Sequence, residues 1–118
     1  MSELTDYNLS FFTGSETCYK DPFSKILYTE GVKFLMDNGA AWFVSDTMVN
    51  IAMLDELKGQ EFLHIKVEKK PGTTEAIYTI DDGNNNILYQ QDIEFTDMPV
   101  EKLRMYYANN TLCLPSEY

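Results

Sequence analysis

Few residues in this chain could do chemistry, and their spacing narrows the choice further. His64 is the sole histidine, so any Ser-His-Asp or Cys-His mechanism has to run through it. It sits in Leu63-His64-Ile65-Lys66-Val67, where apolar and polar residues alternate, and so faces away from Leu63, Ile65 and Val67. A lone histidine on the polar side of a strand reads as a hydrogen-bonded or solvent-facing residue rather than a base. Cys18 and Cys113 lie near opposite ends of the sequence, which excludes a CxxC redox or zinc motif. One histidine and two distant thiols supply too few ligands for a transition metal, so neither a metal nor a cofactor is expected.

Two loops invite a ligand hypothesis and fail it on spacing. Asp81-Asp82-Gly83-Asn84-Asn85-Asn86 is rich in oxygen donors. A calcium loop, however, needs its glycine sixth and a bidentate glutamate further on. Here the glycine is third, and Asp, Gly and Asn at these positions are what a tight hairpin turn requires. Thr13-Gly14-Ser15-Glu16 has one glycine and no following lysine, and no strand pattern precedes it, so it is not a phosphate loop. Acidic residues are abundant, yet no pair is singled out by its context, and no catalytic residue is assigned.

The aromatic residues form the other surplus: eight Tyr, seven Phe and one Trp, crowded toward the first third of the chain. Most are expected in the core, with Tyr19 and Tyr28 the exceptions. Tyr and Trp are enriched at binding hot spots, so Tyr19, Tyr28, Trp42 and His64 are the candidate interaction or pocket residues. Nineteen acids against nine Lys and Arg give a net charge of −10. A surface of that sign repels polyanions and anionic lipid, so direct nucleic-acid binding and membrane association are not expected. The plain reading of the charge is solubility; the sharper one is an acidic face that docks on a basic protein surface and imitates nucleic acid. The first residues, Met-Ser-Glu-Leu-Thr-Asp, lack the basic and apolar regions of a signal peptide, and no apolar run reaches the roughly 20 residues of a membrane span. A cytoplasmic location with free thiols is the expectation.

The elements that must position these residues follow from periodicity. A short helix is expected over residues 4–12, then a loop or extended stretch through Cys18 and Tyr19, because Pro22 forbids a continuing helix. Thr29 reads as the N-cap of a helix carrying Val32, Leu35 and Met36, stopped at Asn38-Gly39. A second helix is expected to turn Trp42, Val49, Met53 and Leu57 inward, widened by Phe43 and Leu54, and to close at Lys58-Gly59. From Glu61 the period changes to two. Strands are expected around Leu63–Val67, Ala76–Ile80, Ile87–Phe95, Leu103–Tyr107 and Leu112–Leu114. Turns fall at Pro71-Gly72, Asp81–Asn86 and Asn109-Asn110, and a helical turn opens at Thr96-Asp97-Met98-Pro99. The whole reads as one α+β domain over residues 1–118, its N-terminal helices packed on one face of an antiparallel sheet of four to five strands.

With the segments placed, a resemblance emerges. Leu9-Ser10-x-Phe12-Thr13-Gly14-Ser15-Glu16, Tyr28-Thr29-Glu30-Gly31-Val32, Gly39-Ala40-Ala41-Trp42 and Leu114-Pro115-Ser116-Glu117-Tyr118 occur in this order across nearly the whole chain. The series resembles an uncharacterised family of small bacterial, plasmid and phage proteins with the pattern FTGTE, YTDGV, GAYW and LPSEY. The resemblance implies no activity. It implies a bacterial cytoplasm and a mobile-element setting, in which small acidic proteins often bind and inhibit host machinery.

Together these features favour a non-catalytic protein-interaction domain with a protein partner. Two other readings stand beside it. One is a small-molecule binder or enzyme with Tyr19, Tyr28, Trp42 and His64 around a cleft between helices and sheet. The other is a homodimer that buries a sheet face or an aromatic patch.

Overall fold

Period-two alternation builds the centre of the molecule, and the described residues, 18–94 and 101–117 of the computed structural model, are organised around it. In chain order they form β1 (Cys18–Lys20), β2 (Leu27–Thr29), α1 (Glu30–Leu35), α2 (Ala41–Met53), β3 (Phe62–Lys69), β4 (Ala76–Asp81), β5 (Ile87–Ile93), β6 (Lys102–Ala108) and β7 (Thr111–Cys113), with a 3₁₀ turn at Pro115–Glu117. The expected helix at 4–12, the Thr13–Glu16 segment, Phe95, the helical turn at Thr96–Pro99 and Tyr118 lie outside the described residues.

The α+β class is as expected, but the sheet is larger and mixed. Its seven strands run in the order β1-β2-β7-β6-β3-β4-β5, antiparallel throughout except between β2 and β7. An antiparallel sheet of four to five strands fed by N-terminal helices is therefore corrected: two strands precede α1. Each is only three residues long, too short for alternation to show, and Pro22 sits in the turn between them. That turn is fixed by Asp21, whose Oδ2 accepts from the Ser24 N–H at 2.7 Å and the Ser24 hydroxyl at 2.8 Å. The parallel join pairs Leu27 with Thr111 and Tyr28 with Leu112, across most of the chain length.

Both helices form where expected, and their boundaries have local causes. Thr29 caps α1, its Oγ1 accepting from the Val32 N–H at 3.4 Å. The helical path breaks at Asn38 and at Gly39, whose φ of 103° is left-handed. In α2 the inward residues are Phe43, Val44, Thr47, Met48 and Ile51. Val49 and Met53 are 44% and 61% exposed, so the stripe through Trp42, Val49 and Met53 is corrected. Thr47 explains the difference. As a polar residue it masks the true face in sequence, yet its hydroxyl is satisfied by the Phe43 carbonyl at 2.8 Å and the Tyr78 hydroxyl at 2.5 Å. The helix ends at Met53, before Lys58-Gly59, because Leu54 turns extended; Leu57 is buried from the turns that follow.

The core lies between the helices and one face of the sheet. Leu63, Ile65 and Val67 of β3, Ala76, Tyr78 and Ile80 of β4, and Leu103 and Met105 of β6 meet Val32, Leu35, Phe43 and Val44 there. Phe43 and Tyr78 pack edge-to-face at 5.8 Å. Burial pushes the Tyr78 hydroxyl up to about 12.

The end of the chain locks onto the start of α1. Glu117 Oε1 accepts from the Thr29 hydroxyl at 2.6 Å and the Leu114 N–H at 2.9 Å, and Oε2 from the Gly31 N–H at 3.2 Å. A Cβ on Gly31 would lie 2.5 Å from Glu117 Oε1 and 2.6 Å from Leu114 Cδ1, so only glycine allows this approach. The Tyr28–Val32 and Leu114–Glu117 segments that carry the resemblance are thus two halves of one clamp. Among the described residues, no helix is long and apolar enough to cross a membrane.

Candidate functional site on the open face of the sheet

Because β3 alternates, the residues it does not bury stand on the face opposite the helices, in register with their neighbours. His64 pairs with Asp81 on β4 and Tyr106 on β6, and Tyr106 pairs with Cys113 on β7. Two positions along, Lys66 pairs with Thr79 and with Arg104. The sole histidine and the sole arginine of the chain are thereby brought together.

Their side chains form one hydrogen-bonded chain. The Gly83 N–H donates to Asp81 Oδ1 at 2.8 Å, and Asp81 Oδ2 meets His64 Nδ1 at 3.1 Å. Arg104 Nε–H donates to His64 Nε2 at 3.1 Å, and Arg104 Nη2 donates to the Tyr106 hydroxyl at 3.2 Å. Arginine has no acceptor, so Nε2 must carry the lone pair and Nδ1 the proton that Asp81 receives. His64 is therefore assigned as the neutral Nδ1–H tautomer, fixed on both sides. The imidazole stands edge-on to Tyr106 at 5.6 Å, and Tyr106 lies 5.3 Å from Phe62. Phe62, Asp82, Gly83, Asn84 and Tyr106 border an open depression of about 390 Å³ at this end of the sheet.

This geometry states what the site can do. An Asp–His pair orients an imidazole for base chemistry, but here the nitrogen that would take a proton from a nucleophile accepts from Arg104 instead. Cys113 is no nucleophile for it: Tyr106 stands between them in the register. Its thiol is buried and pushed up to about 11, first by burial and then by Glu117, so it stays protonated near neutrality. Cys18 pairs with Thr29 on β2, two strands from Cys113, about 10 Å by strand spacing and beyond the reach of a disulfide. The Asp81–Asn86 loop is the hairpin turn expected. Asp82 Oδ1 accepts from the Asn84 N–H at 2.8 Å and Oδ2 from the Asn86 side chain at 2.9 Å. The Asn86 bond first, then the backbone amides, hold the Asp82 carboxyl below its ordinary value. No group of three potential metal ligands occurs among the described residues.

The four candidate residues divide among three places. Tyr19 and Tyr28 are cross-strand partners on β1 and β2, stacked at 5.5 Å, with Lys33 Nζ 5.8 Å above the Tyr19 ring. The Lys33 amine donates to Asp37 at 2.7 Å, and that bond raises its pKa. Trp42 lies on the helix side, half-buried against the core and 5.9 Å from Phe43. His64 is on the opposite face of the sheet. The structure joins the two tyrosines and does not join them to Trp42 or His64 in one cleft. What the sequence reading missed are Arg104, Asp81 and Lys66. The available signal was alternation itself, since each occupies a polar slot of its strand, but the register that unites them is set by turn geometry.

No curated protein and no solved structure matches the chain. A family model does, over residues 3–118, and the chain accordingly belongs to DUF6876, a family of unknown function.

Proposed function

We propose that this chain is a protein-interaction domain that takes up an extended segment of a partner protein along the free edge of β5. The observation that carries this reading is the state of that edge. Strand β5 is seven residues long, pairs with β4 on one side, and ends the sheet on the other among the described residues. Native edges are usually guarded by proline, lysine or brevity. Ile87-Leu88-Tyr89-Gln90-Gln91-Asp92-Ile93 has no proline or lysine, and Ile87 is 59% exposed. The outward N–H and C=O groups of such an edge supply affinity to an added strand, and alternate side chains supply specificity. Asp92 and Glu94 favour a basic incoming segment, in keeping with the net charge of −10.

A bacterial cytoplasm and a mobile-element setting, implied by the resemblance, would make inhibition of a host protein one form of such binding. If that inhibition imitated nucleic acid, the complex would weaken as salt rises from about 50 to 200 mM. The direct test is hydrogen exchange on a purified stoichiometric complex. Strand addition slows the β5 amides relative to the free chain. A complex whose β5 amides exchange at the free rate would sink the proposal.

A further inference from the structure

Arg104 and Lys66 are directly opposite each other on β6 and β3, an arrangement that costs stability because the charges are alike. It stands out in a chain with only nine Lys and Arg and a net charge of −10. The nearest charged groups on this face are otherwise engaged. Glu68 pairs with Lys102 at 3.3 Å, and Asp81 pairs with His64 at 3.1 Å. Among the described residues, neither Arg104 nor Lys66 has a carboxylate within ion-pair distance. Both contacts that hold Arg104, to His64 and to Tyr106, are made to neutral groups and leave its charge uncompensated.

The atoms used in those contacts matter. Nε–H and one Nη2–H form one edge of the guanidinium, and that edge is spent on His64 and Tyr106. The opposite edge, Nη1 with the second Nη2–H, is a two-donor fork matching the two oxygens of a carboxylate. The Asp81–His64 pair behind Nε and the Tyr106 hydroxyl fix the plane of that fork, so little side-chain entropy remains to be lost on binding. Lys66 adds a second charge one strand away, about 5 Å in backbone spacing.

We propose that Arg104 and Lys66 form a carboxylate-binding site on the open face of the sheet, which receives an acidic side chain of a protein partner. The net charge of the chain selects this occupant. A nucleic acid or nucleotide brings several negative charges into a negative field, whereas one glutamate or aspartate brings one. The inference rests on the chain being an interaction domain but does not depend on β5 as the docking edge.

The chain's composition makes the test clean, since one arginine and one histidine give single side-chain NMR signals. The protein is titrated with a peptide carrying a single glutamate, its glutamine counterpart, inorganic phosphate and a single-stranded oligonucleotide. The acidic peptide is expected to shift the Arg104 Nε–Hε and His64 ring signals, and its glutamine counterpart to leave them unmoved. Arg104→Gln and Lys66→Gln are each expected to weaken the acidic peptide about tenfold or more, the scale of one charge-assisted hydrogen bond. Arg104→Lys, which keeps the charge but not the fork, is expected to fall between. The site assignment is overturned if the acidic peptide leaves both signals unmoved at millimolar concentration, or if the glutamine variants bind it as well as the unaltered chain. Tighter binding of phosphate or oligonucleotide than of the peptide overturns the choice of occupant. A complex that protects β5 but ignores both glutamine variants removes this site and leaves the strand-addition reading intact; the converse removes only strand addition.

Discussion

Ile65 and Lys66 are adjacent residues of one strand and belong to two different kinds of surface. Ile65 is fully buried beneath the helices; Lys66 stands on the open face opposite Arg104. Each face also holds one polar chain of contacts. On the covered side Tyr78, Thr47 and the Phe43 carbonyl satisfy one another within the core. On the open side Gly83, Asp81, His64, Arg104 and Tyr106 run along the surface and end on a guanidinium edge with nothing opposite it among the described residues. The first network closes on itself, which suits stability. The second stops short of closing, which suits a ligand.

Substitutions should separate the two faces by size of effect. Ile65→Ala removes buried methyl groups from a packed core and is expected to cost about 2–5 kcal/mol in chemical denaturation. A cost below 1 kcal/mol would mean that the covered face is not the stabilising one. Next in size is the internal hydroxyl pair. Thr47→Val should cost about 1–3 kcal/mol by depriving buried Tyr78 of a partner, and adding Tyr78→Phe should recover part of that cost. Equal, additive losses would break the pairing.

Burial of two weak acids, one on each face of the sheet, also sets an alkaline limit. The Tyr78 hydroxyl is raised from 10.0 to about 12 and the Cys113 thiol from 9.0 to about 11, so the folded state holds both protons more tightly than the unfolded chain. Their stabilisation is intact below pH 9 and is lost as pH rises through about 11 and then about 12, an effect on the order of 2 kcal/mol for Tyr78. In Tyr78→Phe the upper part of that loss should disappear from the stability–pH curve.

The open face should barely register. Lys66→Gln is expected to be neutral or stabilising by about 0.2–0.5 kcal/mol, since it relieves a like-charge pair. A clear destabilisation would mean that Lys66 serves the fold rather than a ligand.

Much of this architecture was legible in the residue pattern. The four longer alternating segments became strands and the short fifth became β7, Thr29 became a cap, and Asn109-Asn110 became a two-residue hairpin with φ of 53° and 59°. Where the pattern misled, a polar residue had been buried with its partner supplied from elsewhere. Thr47 hid the inward face of α2 in this way. Strands β1 and β2 were hidden because three residues give no period and no tight hairpin pair marks them, as Asn109-Asn110 marks the equally short β7. Of the open-face site only His64 was singled out, since uniqueness is visible in a sequence and adjacency across strands is not.

By itself the sequence determined an α+β chain with a polar side to each long strand, a strong negative charge, and a single histidine turned away from the core. These are local properties, set by side-chain period and composition. Only the tertiary structure decided that the single arginine meets that histidine, that the two cysteines stay apart, and that Glu117 caps the helix beginning beside Gly31. Each of these depends on strand order and register, which turns and core packing fix jointly. Contacts between residues forty or more positions apart leave no trace in any short window of the chain.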